Sequence, residues 1–117
     1  MCGIVGIRRF DGRPIDESQL REMTRLLTHR GPDSEGYGIY GSVGFGHRRL
    51  AIIDVEGSPQ PMTSGSRPVH VTYNGEIFNY KDLRDQLLKR KTPLKTHGDT
   101  ETLVELGSAP EKGASFL

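Results

Sequence analysis

The chain opens on Cys2-Gly3-Ile4-Val5-Gly6-Ile7, a β-branched run that starts at the second residue and is closed by the turn Asp11-Gly12-Arg13-Pro14. Residues of this kind fit a pleated, half-buried surface, so the run reads as an N-terminal strand that begins at the terminus itself. Arg8 and Arg9 follow the apolar stretch instead of preceding it, and no h-region is present, so a secretory signal is not expected. The longest other apolar run, Leu50 to Ile53, also stops after four residues, far short of the roughly 20 that a spanning helix needs.

Beyond that strand the periodicity alternates between helical and extended. Asp16 followed by Gln19 resembles a capping box, and Leu20, Met23, Leu26 and Leu27 then repeat at helical spacing until Gly31-Pro32. From Ser34 to Asp54 no helical period is present. Tyr37, Ile39, Val43, Phe45 and Leu50 to Ile53 alternate with glycines and polar residues as two or three short strands would. The stretch GSPQPMTSGSRP over 57–68 is a loop. Val69 to Tyr73 reads as a strand, Asn74-Gly75 as a turn and Glu76 to Phe78 as a short strand. Asn79 is expected to cap a helix with Leu83, Leu87 and Leu88 inward, ended at Lys91-Thr92-Pro93, and Asp99 to cap a last helix carrying Leu103, Val104 and Leu106. With 33% hydrophobic residues, Gly 15 and Pro 7 in 117 residues, the pattern fits one turn-rich α/β or β-rich domain and argues against a helical bundle.

Charge and cysteine content narrow the setting. Sixteen Lys plus Arg against fifteen Asp plus Glu leave a net charge of +1, so no global field gathers nucleic acid or anionic lipid and neither is expected as a partner. One cysteine cannot close an intramolecular disulfide, which is compatible with the reducing cytoplasm. The four histidines, His29, His47, His70 and His97, lie far apart with no second ligand type at metal spacing, so no metal site is expected. Gly36, Gly38 and Gly41 spell GxGxxG, but a dinucleotide fingerprint must open a helix, and residues 42–53 read as strands.

Three features carry candidate chemistry, each beside a plainer reading. Removal of Met1 would leave Cys2 with both a thiol and a free α-amino group. An α-amine titrates near about 7.7 to 8.0 and a cysteine thiol near about 8.5, so the amine can accept the thiol proton; otherwise Cys2 is a small hydrophobe in a strand. Asn74-Gly75 is a strong hairpin signal, and the same turn could aim an amide and a backbone N–H one way as an oxyanion hole. Arg48-Arg49 is either a surface pair or a guanidinium fork for a carboxylate.

The segments MCGIVGI (1–7), HRGPDSEG (29–36), GFGHRRLAIID (44–54), QPM (60–62), YNGEIFNY (73–80) and GDTE (98–101) occur in this order and spacing. Together they closely resemble the N-terminal glutaminase domain of glutamine-hydrolysing asparagine synthetases, a branch of the class II glutamine amidotransferases within the N-terminal-nucleophile hydrolases. The resemblance implies an α+β fold, a four-layer αββα sandwich of antiparallel sheets, incomplete in a chain of this length, so that 1–117 would be the N-terminal part of the domain. It implies Cys2 as nucleophile with its own α-amine as base, and Asn74 with the Gly75 N–H as oxyanion hole. Arg49 would anchor the glutamine carboxylate, the backbone of Leu50, Ala51, Ile52 and Ile53 would line the pocket, and Glu76 and Asp99 would fix the amide and α-amino ends of the substrate. L-glutamine would be hydrolysed to glutamate and ammonia through a thioester without a cofactor. A C-terminal synthetase domain with ATP and Mg would use the ammonia to amidate aspartate, and a homodimer is a further expectation. Gly98 stands where relatives commonly carry serine.

Other readings remain open at this level. One is a Cys–His hydrolase in which His47 or His97 activates Cys2. Another is a truncated, non-catalytic fragment or binding module, and a third is an asparagine-synthetase-like amidotransferase with a different acceptor.

Overall fold

The computed structural model describes residues 2–50 and 59–108. The chain divides into two compact units, one of Met1–Ile53 with Thr72–Asn74 and one of Asp54–Val71 with Gly75–Leu117.

Among the described residues, the first unit is a three-stranded antiparallel sheet with one helix. Strand β1 (Gly3–Arg8) and strand β2 (Ser34–Tyr40) both pair with the central β3 (Val43–Arg49), with Arg48 opposite Gly3 on one side and opposite Glu35 on the other. Helix α1 (Glu17–Arg25) starts where Asp16 Oδ1 accepts the Ser18 amide at 2.9 Å, the N-cap that the sequence signals. Strand alternation puts Val5, Gly44, Gly46 and Tyr37 on one sheet face, and Val5, Ile15 and the fully buried Leu20 form the core, with Ile7, Leu27 and Tyr37 against them. Glycine at 46 is what lets the helix settle. A Cβ there would overlap Thr24 Oγ1, whose hydroxyl donates to Leu20 O at 2.7 Å.

This close approach corrects the helical reading. Met23 and Leu26, expected on the core stripe, are exposed, Leu26 at 77%, and Thr24 takes the buried position. The helix ends at Arg25, so Leu26 falls in the terminal turn, and the notch at Gly46 admits a threonine in place of a longer side chain. Rejection of the GxGxxG motif is borne out. Gly36 and Gly38 lie within β2, and Gly41 makes the turn to β3.

The second unit holds a two-stranded antiparallel ladder, β4 (Met62–Thr63) and β5 (His70–Val71), and helices α2 (Tyr80–Lys89) and α3 (Asp99–Ser108). Leu87, Val104 and Leu106 are buried in this unit. Several expectations shift here. The strand over 69–73 shortens to two residues, and 76–78 is no strand, because the Ile77 amide donates to Asp99 Oδ2 at 3.0 Å and Ile77 O accepts from Tyr80 in a turn. Asn79 occupies the N-cap position of α2 without a side-chain cap bond, and Asp99 is the first residue of α3, with one carboxylate oxygen accepting from Ile77 N. Leu88, expected inside, is 49% exposed. Helices and strands are thus mixed, and both sheets are antiparallel. Among the described residues no helix is long and apolar enough to cross a membrane.

Candidate active site

The half-buried Cys2 stands one residue ahead of β1. Its Sγ receives the Leu50 N–H at 3.4 Å and lies 3.8 Å from Leu50 O. Its carbonyl oxygen accepts from Arg30 Nε at 3.3 Å and from Asn74 Nδ2 at 3.0 Å. A primary amide carries two N–H groups, so one Asn74 N–H fixes the side chain beside Cys2 and the other remains for a second acceptor. Cys2, Leu50 and Asn74, far apart in sequence, are therefore brought together by the structure.

The two adjacent arginines separate by strand alternation. Arg48 turns to the α1 face and is buried, with Nε donating to Gly31 O at 2.8 Å and Nη1 paired with Glu35 Oε2 at 2.8 Å. Arg49 takes the opposite face at the end of β3, while its carbonyl receives the Asp33 amide at 3.0 Å. The HRGPD turn is held against β3 by these bonds, and it requires glycine at 31, where a Cβ would collide with the Arg48 carbonyl group. Sequence alone did not separate the roles of Arg48 and Arg49. The structural partner Glu35 was missed, although the alternation that puts Arg48 and Arg49 on opposite faces was available as a signal.

His47 shares the Arg49 face and is 2% exposed. Its Nδ1 lies 2.9 Å from Thr72 Oγ1, and its Nε2 is buried without a hydrogen-bond partner. Burial, followed by the positive charge of Arg49, pushes its pKa down to about 4. The ring is therefore neutral near pH 7. It makes no hydrogen bond to Cys2, so the pairing required by a His47-activated thiol is not formed.

Gly75, Glu76 and Asp99 belong to the second unit. There Asp99 Oδ2 is engaged by Ile77 N, leaving the other carboxylate oxygen for another donor. Two carboxylates that the sequence did not single out act as ties in the same unit. Glu101 accepts the Lys95 amide at 2.8 Å, and the Thr96 amide at 2.9 Å and hydroxyl at 3.1 Å, with Arg84 3.8 Å away. Glu105 accepts from Gly65 N at 2.7 Å, Ser64 Oγ at 3.0 Å and Ser66 Oγ at 3.1 Å. The expected pocket residues Ala51, Ile52 and Ile53 lie outside the described residues.

The profile of the glutamine amidotransferase domain family matches residues 1–117. Over 109 residues the chain is 41% identical to asparagine synthetase (glutamine-hydrolyzing) 1 of Bacillus subtilis, covering 89% of this chain and 17% of that protein. Over 118 residues it is 37% identical to asparagine synthetase (glutamine-hydrolyzing) 2 of Arabidopsis thaliana, covering 100% and 20% respectively. The chain thus spans a fifth or less of the length of these two relatives.

Proposed function

Because the chain belongs to the glutamine amidotransferase domain family, we propose that it hydrolyses the side-chain amide of L-glutamine with Cys2 as the nucleophile. The observation that carries this reading is the convergence on Cys2 of the Leu50 N–H at its sulfur and the Asn74 amide at its carbonyl. In the chain as translated, the Cys2 nitrogen is a peptide nitrogen, so the chemistry begins with removal of Met1. The freed α-amine takes the thiol proton, and the thiolate attacks the carboxamide carbon of glutamine. Negative charge then develops on the amide oxygen, which the free Asn74 N–H and the N–H of Gly75, next in the chain, stabilise. The C–N bond breaks, the α-ammonium returns its proton to the departing nitrogen, and ammonia leaves. Water hydrolyses the γ-glutamyl thioester to glutamate and regenerates the thiol.

Recognition is assigned by charge. Arg49 offers a planar fork to the α-carboxylate, Asp99 a carboxylate to the α-ammonium, and Glu76 an acceptor to the amide N–H groups, with the Leu50 backbone beside the nucleophile. This half-reaction uses no cofactor. In the larger reading, the domain adopts a four-layer αββα sandwich and delivers ammonia to a synthetase domain that amidates aspartate with ATP and Mg. The setting is the reducing cytoplasm, with a homodimer as the assembly.

Two experiments test the reading. Cys2→Ala and Cys2→Ser should each lower glutamine hydrolysis by the full chain at least about a thousandfold, and near-wild-type turnover by Cys2→Ala would end the proposal. A short, uncleavable N-terminal extension should likewise abolish turnover, because it removes the α-amine and spares the thiol.

A further inference from the structure

Residues 72–74 group with the first unit, while the residues just before and just after them, Val71 and Gly75, group with the second. A segment this short has no ladder of its own. It is fastened to the first unit by Asn74 Nδ2 on the Cys2 carbonyl at 3.0 Å, and two residues earlier by Thr72 Oγ1 on His47 Nδ1 at 2.9 Å. Two residues span about 7 Å at full extension, so the two fastenings sit close together and act on one peptide stretch. Alone, either bond would leave Asn74 free to swing about a single point. Together they fix where its amide lies relative to the sulfur.

We propose that His47 and Thr72 form a positioning pair that sets the Asn74 amide for oxyanion binding. This rests on the reading of Asn74 given above. His47 suits the task because it stands on the central strand β3, nearly fully buried, where its ring is held by its neighbours. The neutral imidazole carries one proton and one lone pair, so Nδ1 can meet a hydroxyl as donor or acceptor. The other nitrogen, Nε2, is left buried and unpartnered, a cost that an apolar residue of similar size would avoid. The bond to Thr72 is the return on that cost.

An oxyanion donor acts in the transition state, so a misplaced Asn74 should reduce kcat and leave glutamine binding nearly intact. In the full chain, Thr72→Val, nearly isosteric, should lower kcat about tenfold with KM within about twofold. Thr72→Ser, which keeps the hydroxyl, should recover most of the loss. Adding His47→Gln to Thr72→Val should cause no further fall in kcat, because the bond is already gone. Two results would overturn the pair: unchanged kcat in Thr72→Val, or full multiplication of the two losses in the double variant. Because His47→Gln alone can disturb folding, the decisive comparison is Thr72→Val against Thr72→Ser, with thermal melts confirming that both fold. Asn74→Ala, expected to lower kcat about a hundredfold, separates the two levels of the argument. If it lowers kcat while Thr72→Val does not, the positioning pair alone fails. If it leaves kcat unchanged, the assignment of Asn74 fails and the pair with it.

Discussion

Each of the two units is stabilised internally by a different means. In the first, a helix lies on a sheet through apolar side chains and a glycine notch, with Leu20 and Val5 inside and Thr24 seated over Gly46. In the second, two carboxylates on α3 tie loops by accepting hydrogen bonds, Glu105 from residues 64–66 and Glu101 from residues 95–96. Apolar packing is non-directional and tolerates small adjustments. A buried carboxylate is not tolerant: with its donors it is satisfied, and without them it carries the full penalty of a desolvated charge. Units of similar size can therefore be stabilised by volume in one place and by stoichiometry of donors in another.

The largest expected effect lies on the carboxylate side. Glu105→Ala should destabilise the full chain by about 3 kcal/mol, because the Ser64 and Ser66 hydroxyls and the Gly65 amide lose their shared acceptor. Asp85→Ala, on the exposed side of α2, should change stability by less than about 0.5 kcal/mol. Equal denaturation midpoints for the two variants would break the contrast. On the packing side, Gly46→Ala should cost about 2 kcal/mol, since the new methyl occupies the place of Thr24 Oγ1. Thr24→Ala removes that oxygen, so the double variant should be more stable than the sum of the two single losses by about 1 kcal/mol. Simple additivity in urea melts would show that the helix shifts instead of clashing.

The contrast also explains what the sequence could say. Local pattern and the Asp16 cap disclosed β1, β2, β3 and α1, although not the full buried face of α1, where Thr24 lies inside and Met23 and Leu26 do not. The loop ties of α3 were illegible. Glu101 and Glu105 look like solvated helix charges in a row of letters, and only the fold reveals that the loops 95–96 and 64–66 close over them. At the candidate site, Cys2 and Asn74 were singled out from residue type and turn chemistry, whereas Arg49 was told apart from Arg48 only by the family resemblance. His47 entered only as an alternative base, since nothing local links position 47 to position 72.

His47 offers a test of the first unit that its apolar core does not. The folded ring stays neutral down to about pH 4, whereas an unfolded histidine takes up a proton near 6.5. Between those values the unfolded chain binds more protons, so stability is complete above about pH 6.5 and declines as pH falls through the window. From pH 7.5 to pH 5 the loss should be about 2 kcal/mol, and His47→Gln should flatten that part of the curve. Ordinary carboxylates titrate mainly below it. An unchanged slope in the variant would mean that another group is responsible.

The smallest effect distinguishes neighbours that share a residue type. Arg48 is buried, paired with Glu35 and bonded to Gly31 O, while Arg49 faces the other way at the end of the same strand. If Arg49 grips the glutamine carboxylate, the grip depends on a planar fork of two parallel N–H groups, which an ammonium cannot reproduce although it keeps the charge. Arg49→Lys should therefore raise KM for glutamine about tenfold, equivalent to about 1.4 kcal/mol. Arg48→Lys should do the reverse, lowering the melting temperature through the lost bonds to Gly31 and Glu35 with a smaller effect on KM. The two substitutions are chemically identical and one residue apart, so any difference between them reports which face of β3 each side chain occupies. Unchanged KM and kcat in Arg49→Lys would leave Arg49 as a surface residue and move the carboxylate anchor elsewhere.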